Sequence, residues 1–102
     1  MVKIIRGTTP IIEIQVIGCD LKKYKHILIT IQQGRVSLDK TENDISIEND
    51  IIRFKLTQDE TLTFSAFKDA LIQLRAKSDD GNTVASDITT IQVKGILKEG
   101  LL

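Results

Sequence analysis

At 102 residues the chain is long enough for one ordinary hydrophobic core, and it reads as a single domain over residues 1–102. Fourteen basic and fourteen acidic residues cancel, which excludes the strong positive field of a nucleic-acid or anionic-membrane binder, so neither partner is expected. The single cysteine, Cys19, excludes an internal disulfide and argues against a cysteine-based zinc site; no apolar run reaches membrane-span length, and Met1–Arg6 lacks the features of a signal peptide.

The apolar residues are mainly Ile, Leu and Val, and Thr is frequent, a composition that favours strands. Met1–Arg6 predicts a short first strand, closed by Gly7-Thr8-Thr9-Pro10. Proline lacks a ladder donor, so Pro10 belongs at a strand start or an edge. Ile12, Ile14 and Val16 then alternate with Glu13 and Gln15, the period of a half-buried strand that stops at Gly18-Cys19-Asp20. Leu21–Lys25 is polar and reads as a loop crossing between layers, pinned by Leu21 or Tyr24. Ile27, Ile29 and Ile31 alternate with Leu28, Thr30 and Gln32, and Gln33-Gly34 is expected to turn into a strand over Arg35–Lys40. Ile45 and Ile47 mark the strand Asp44–Glu48. Asn49-Asp50 supplies the next hairpin turn, because both residues tolerate the left-handed region. Ile52, Phe54 and Leu56 keep the period of the following strand.

Thr57-Gln58-Asp59-Glu60 has capping-box spacing, so Gln58–Leu62 is predicted as one helical turn. Leu62, Phe64 and Phe67 are expected to anchor this connection beneath the sheets. Next comes the hairpin around which the chain is organised. Ala70, Ile72, Leu74 and Ala76 alternate with Leu71, Gln73, Arg75 and Lys77, and Asp80-Gly81 offers the positive φ of a turn. On the return strand Val84, Ser86 and Ile88 share one phase while Ile91 and Val93 share the other. A β-bulge near Asp87–Thr90 would restore the core face.

The result is an all-β expectation: an immunoglobulin-like antiparallel β-sandwich of about seven or eight strands. It lacks the disulfide, tryptophan and tyrosine corner of true immunoglobulin domains. The predicted core is Ile12, Ile14, Val16, Ile27, Ile29, Ile31, Ile52, Phe54, Leu56, Ile72 and Leu74.

No catalytic, metal or cofactor site is expected. His26, the only histidine, has no partner motif and reads as a solvent-facing residue opening a strand. Cys19 lies in a turn without a base, so it reads as an inert, partly buried thiol. Asp79-Asp80-Gly81-Asn82 resembles a calcium loop but lacks the spacing and distal glutamate of one; a hairpin turn explains it. Neither Asp44 with Glu48 nor Asp59 with Glu60 has the spacing of a hydrolytic pair across a cleft.

Interaction sites are expected at strand edges, where unpaired backbone groups accept a partner strand. The candidates are Val36, Leu38 and Lys40 of one edge and Ile45 and Ile47 of the other. Lys40 and Glu48 are also residues of the type that discourages pairing. In the aliphatic stretch Ile96–Leu102, Ile96 and Leu97 are expected to finish the core. Leu101 and Leu102 are expected to meet a neighbouring subunit or partner.

Arg6-Gly-Thr-Thr-Pro-Ile-Ile-Glu13, Leu56–Leu62, Ile72–Arg75, Asp80-Gly81 and Ala85–Ile88 resemble small prophage-encoded structural proteins of Gram-positive bacteria, tail or baseplate associated. The resemblance implies a non-enzymatic structural or accessory protein without cofactors. It further implies partners among other phage structural proteins or a second copy. Its location would be the bacterial cytoplasm during assembly and then the virion. The alternative is a carbohydrate- or cell-surface-binding sandwich module. That role favours exposed aromatics, and the three Phe are assigned to the core.

Overall fold

Alternation of β-branched and polar residues carries through into strands along most of the chain. The computed structural model describes residues 3–102; Met1 and Val2 of the expected opening strand lie outside them. The described strands are β1 (Lys3–Ile5), β2 (Ile11–Gln15), β3 (Tyr24–Gln33), β4 (Val36–Thr41), β5 (Ile45–Glu48), β6 (Ile51–Lys55), β7 (Ala70–Ser78), β8 (Thr83–Ala85) and β9 (Thr89–Lys94). One helical turn, α1 (Gln58–Leu62), and a 3-10 turn, Leu21–Lys23, complete the set. The strands form two sheets, ordered β1-β9-β7-β3-β4 with β8 also on β7, and β2-β6-β5. The fold is an all-β sandwich.

Every described pair is antiparallel except β1–β9, which is parallel with Lys3 opposite Gln92 and Ile5 opposite Lys94. No hairpin joins these two strands, so no short turn dictates their direction. Between β1 and β2 the chain instead crosses from one sheet to the other. Gly7 sits in that crossing at φ +75°, where a Cβ would lie 3.0 Å from the Ile96 side chain. Only glycine meets both demands.

Inward-facing residues of both sheets make one cluster: Ile4, Ile12, Ile27, Ile29, Ile31, Ile52, Phe54, Leu56, Ile72, Leu74, Ile91 and Val93 among others. The expected core is buried apart from Ile14 and Val16, which pack half-buried against the cluster near the end of the edge strand β2. Burying each large aliphatic side chain contributes about 1.5–3 kcal/mol, which makes this cluster the main stabilising element.

The return strand after β7 bears out the expected bulge. Ser86 still pairs with Leu74, its N–H donating to the Leu74 carbonyl at 2.8 Å, whereas Thr89 already faces Ile72. Asp87 and Ile88 therefore oppose the single residue Gln73. The extra residue turns the side chains over, so Ile91 and Val93 are buried while Val84 and Ile88 stay exposed.

Local expectations fare differently. Asn49-Asp50 closes β5 to β6, with Asn49 at φ +55°. Thr57 caps α1, its Oγ1 accepting from the Glu60 N–H while Glu60 returns to the Thr57 N–H. Of the two residues expected to pin the crossing loop, Leu21 is buried at the start of the 3-10 turn and Tyr24 packs half-buried against the core. The β3–β4 turn is Gly34-Arg35 rather than Gln33-Gly34, because Gln33 pairs with Val36 and Gly34 holds the positive φ at the first turn position. The Asp80-Gly81 turn is present within a longer loop, closed where the Ser78 N–H donates to the Asn82 carbonyl at 2.8 Å.

Two expected anchors are corrected. Phe64 is fully buried, but Phe67 is 93 % exposed. Its N–H donates to the Val93 carbonyl at 3.0 Å and its φ is +62°, a conformation that leaves the ring outside the sandwich. Leu97 is also exposed rather than a core residue, since the strand period ends at Lys94 and only Ile96 reaches inward, against Gly7.

Candidate functional site

Edges are built by the ends of the two sheet orders. β4 closes the large sheet and β5 the small one, so both segments expected to be edges are edges. A two-residue hairpin makes its closing residues a hydrogen-bonded pair, and alternate residues then turn their backbone groups away. On β4 the outward groups belong to Ser37, Asp39 and Thr41. Those of Thr41 are already taken: its N–H donates to the Asp44 carboxylate at 2.9 Å, and the Asp44 N–H donates back to its carbonyl at 2.9 Å. The Thr41 backbone N–H and hydroxyl hold the Asp44 carboxyl below its usual range. On β5 the outward groups are those of Ile45 and Ile47.

Side chains refine this picture. Val36, Leu38 and Lys40 sit opposite Gln33, Ile31 and Ile29, on the inner face, and Ile45 and Ile47 sit opposite Phe54 and Ile52. Val36, Leu38 and Ile45 therefore pack against the core instead of projecting from an edge. Lys40 is drawn inward too, its Nζ lying 2.8 Å and 3.0 Å from the two carboxylate oxygens of Glu60. An inward-pointing charge on an edge strand makes a second sheet a poor fit. Partial burial opposes ionisation of Glu60, but the Lys40 ammonium and the Thr57 N–H outweigh it and hold the carboxyl below its usual range. Of the edge candidates, Ile47 alone keeps a large exposed apolar surface, at 41 %.

Residues 96–102 form the other candidate surface. Arg6 organises it: its Nε donates to the Phe64 carbonyl at 2.7 Å, Nη2 donates to the Leu62 carbonyl at 3.2 Å, and Nη1 pairs with Glu99. The guanidinium thereby serves carbonyls left over at the end of α1 and clamps the tail beside them. The Leu102 N–H donates to Gln58 Oε1 at 3.3 Å, yet the side chains of Leu97, Leu101 and Leu102 remain exposed.

Two shallow concavities have mixed chemistry. One, of about 300 Å³, includes His26, Leu28, Glu42, Arg75, Lys77 and Val84. His26 is exposed there, with Nδ1 3.6 Å from Glu42 Oε1. Backbone N–H groups of Glu42 and Ile27, joined by His26, keep the Glu42 carboxyl below its usual range. The other, of about 520 Å³, is lined by Phe67, Asp69, Gln92, Val93, Lys94 and Gly95.

Elsewhere several polar groups have structural partners. Ser78 donates to Asp80, whose carboxyl is held low mainly by that hydroxyl, and Asn82 Nδ2 joins the same carboxylate at 3.3 Å. Glu48 and Glu13 both pair with Arg53, at 3.1 Å and 2.8 Å. Cys19 is half-buried; burial, with the Cys19 thiol beside it, raises the Tyr24 hydroxyl. Among the described residues no group of three His, Cys, Asp or Glu is gathered as metal ligands. No described helix is long and apolar enough to cross a membrane.

Gln33 and Arg6 were missed as organising residues. Gln33 is buried, donating to the Ser65 and Lys68 carbonyls at 2.9 Å and 2.8 Å and accepting from the Ser65 N–H at 2.6 Å. Its place in the apolar phase of β3 was the available signal. No protein-family model matches this sequence, and no curated protein matches it either.

Proposed function

We propose that this chain is a non-enzymatic structural or accessory protein of a bacteriophage particle, tail or baseplate associated, working through protein–protein contacts. The strand order supports an immunoglobulin-like reading. β3, β4, β7 and β9 share one sheet, β2, β5 and β6 form the other, and β1 lies on the β9 edge, as in variable-type sandwiches. The observation that carries the functional reading is Ile47: a large apolar side chain, 41 % exposed, on a strand whose outward backbone groups have no neighbouring strand among the described residues. Exposed Leu97, Leu101 and Leu102 offer a second uncovered apolar surface.

The partner in this reading is another phage structural protein or a second copy, with neither nucleic acid nor membrane involved. The chain would be made in the bacterial cytoplasm and end in the virion. Light scattering over a concentration series tests the self-association arm. Assembly that weakens in Ile47→Lys and on deletion of Gly100–Leu102 supports it; a monomer at every concentration sinks that arm. A gene lying among metabolic rather than tail or capsid genes would count against the phage setting. A carbohydrate- or cell-surface-binding module is the second reading, and the exposed Phe67 favours it.

A further inference from the structure

Phe67 departs from what its sequence neighbours dictate in two independent ways. A bulky L residue at φ +62° is strained, and the connection has no Asn or Gly there to relieve it. The ring is also 93 % exposed, so the strain is not offset by burial. Around it lies a concavity of about 520 Å³, within the size range of small-ligand sites. Val93, whose side chain is buried in the core, and Gly95 also line it; its exposed side chains besides Phe67 are polar and of both signs: Asp69, Gln92 and Lys94. Among the described residues no ion pair engages Asp69 or Lys94. The floor stays open because Gly95 carries no side chain; a Cβ there would stand 3.1 Å from Ala66 Cβ and 3.6 Å from the Phe67 ring.

We propose that Phe67, Asp69, Gln92 and Lys94 form a binding site for a neutral pyranose unit of a glycan. A pyranose presents a face of weakly positive C–H groups, which packs on the negative face of an aromatic ring. Its equatorial hydroxyls both donate and accept, so a carboxylate, an amide and an ammonium around that ring can serve them. Asp69 and Lys94 balance in charge, which favours an uncharged sugar over an anionic one. A protein hot spot would be built differently, with its aromatic anchor set among other apolar groups that exclude water. Here the exposed side chains that share the concavity with the ring are polar. The inference rests on the carbohydrate-binding reading and supplies its site.

The test is titration of the isotope-labelled chain with maltotriose, cellotriose and chitotriose, followed by amide NMR. Saturable shifts at Phe67, Asp69, Gln92 and Lys94, with a dissociation constant in the millimolar range, are expected from at least one sugar. Phe67→Gly should weaken that binding roughly tenfold or more, without lowering the melting temperature, because glycine relieves the backbone strain. Phe67→Tyr should retain it. Saturable shifts confined to another face would overturn this site while leaving a sugar-binding module standing; no shift from any sugar would sink both. Unchanged affinity in Phe67→Gly overturns the proposal. So does a change of association state in that variant without any sugar response, which would assign Phe67 to a protein contact.

Discussion

Asn49 and Phe67 adopt nearly the same left-handed backbone, at φ +55° and +62°, for unrelated reasons. The Asn49-Asp50 turn is a local solution: two residues join β5 to β6, and the side chain suits the conformation. The connection Thr63–Asp69 is a tertiary one. Phe64 is sunk in the core, Gln33 holds the Ser65 and Lys68 backbone, Arg6 holds the Leu62 and Phe64 carbonyls, and the Val93 carbonyl fixes Phe67. Similar φ angles thus have different warrants, one in the residue and one in the surroundings.

If the connection is held from outside, removing its core plug should hurt most. Phe64→Ala is expected to cost about 3–5 kcal/mol in denaturant melts, whereas Phe67→Ala, three residues on, should cost far less. Equal losses would erase the difference between anchor and ornament.

Gln33→Ala leaves the Ser65 N–H and two carbonyls without their partner. A loss of about 1–3 kcal/mol is expected, with faster amide hydrogen exchange in Ser65–Asp69 and none of that acceleration at Asn49. Acceleration at both places would mean that the two turns share one support.

The turn itself is probed by Asn49→Val, which forces a β-branched residue into the left-handed region. It should cost about 1–2 kcal/mol, while Asn49→Gly should be near neutral. Phe67→Gly should match or exceed the wild-type melting temperature, the converse result at the same φ. A clear loss there would show that the ring packs in solution.

The smallest effect concerns the capping box from which the connection departs. The Glu60 carboxyl is held below its ordinary value in the fold, so its contribution is present above the unfolded value. That contribution is lost as pH falls through the lower folded value. Stability of the wild type should therefore decline more steeply in the acid carboxylate range than that of Glu60→Gln, and Lys40→Met should flatten the decline in part. Parallel pH curves would remove Glu60 from the account.

Much of the fold was legible because it is encoded by neighbours along the chain. Alternation in Ala70–Ser78 named the buried face of β7. The phase conflict between Val84 and Ile91 required a bulge, and Thr57 with Glu60 marked a helix start to the residue. These signals have periods or spacings of a few residues, so one sequence contains them. Of the candidate surfaces, the strands β4 and β5 were legible only as edges. That Val36, Leu38 and Ile45 pack inward depends on which strand lies across the sandwich, and that Lys40 finds Glu60 depends on where α1 docks.

The sequence by itself determined the strand periods, the bulge, the β5–β6 turn and most of the core, since each is a statement about adjacent residues and the side of a pleat. Only the tertiary structure decided the parallel β1–β9 pair, the roles of Arg6 and Gln33, and the exposure of Phe67. Each of these turns on contacts between residues 26 to 93 positions apart, whose geometry no local pattern carries.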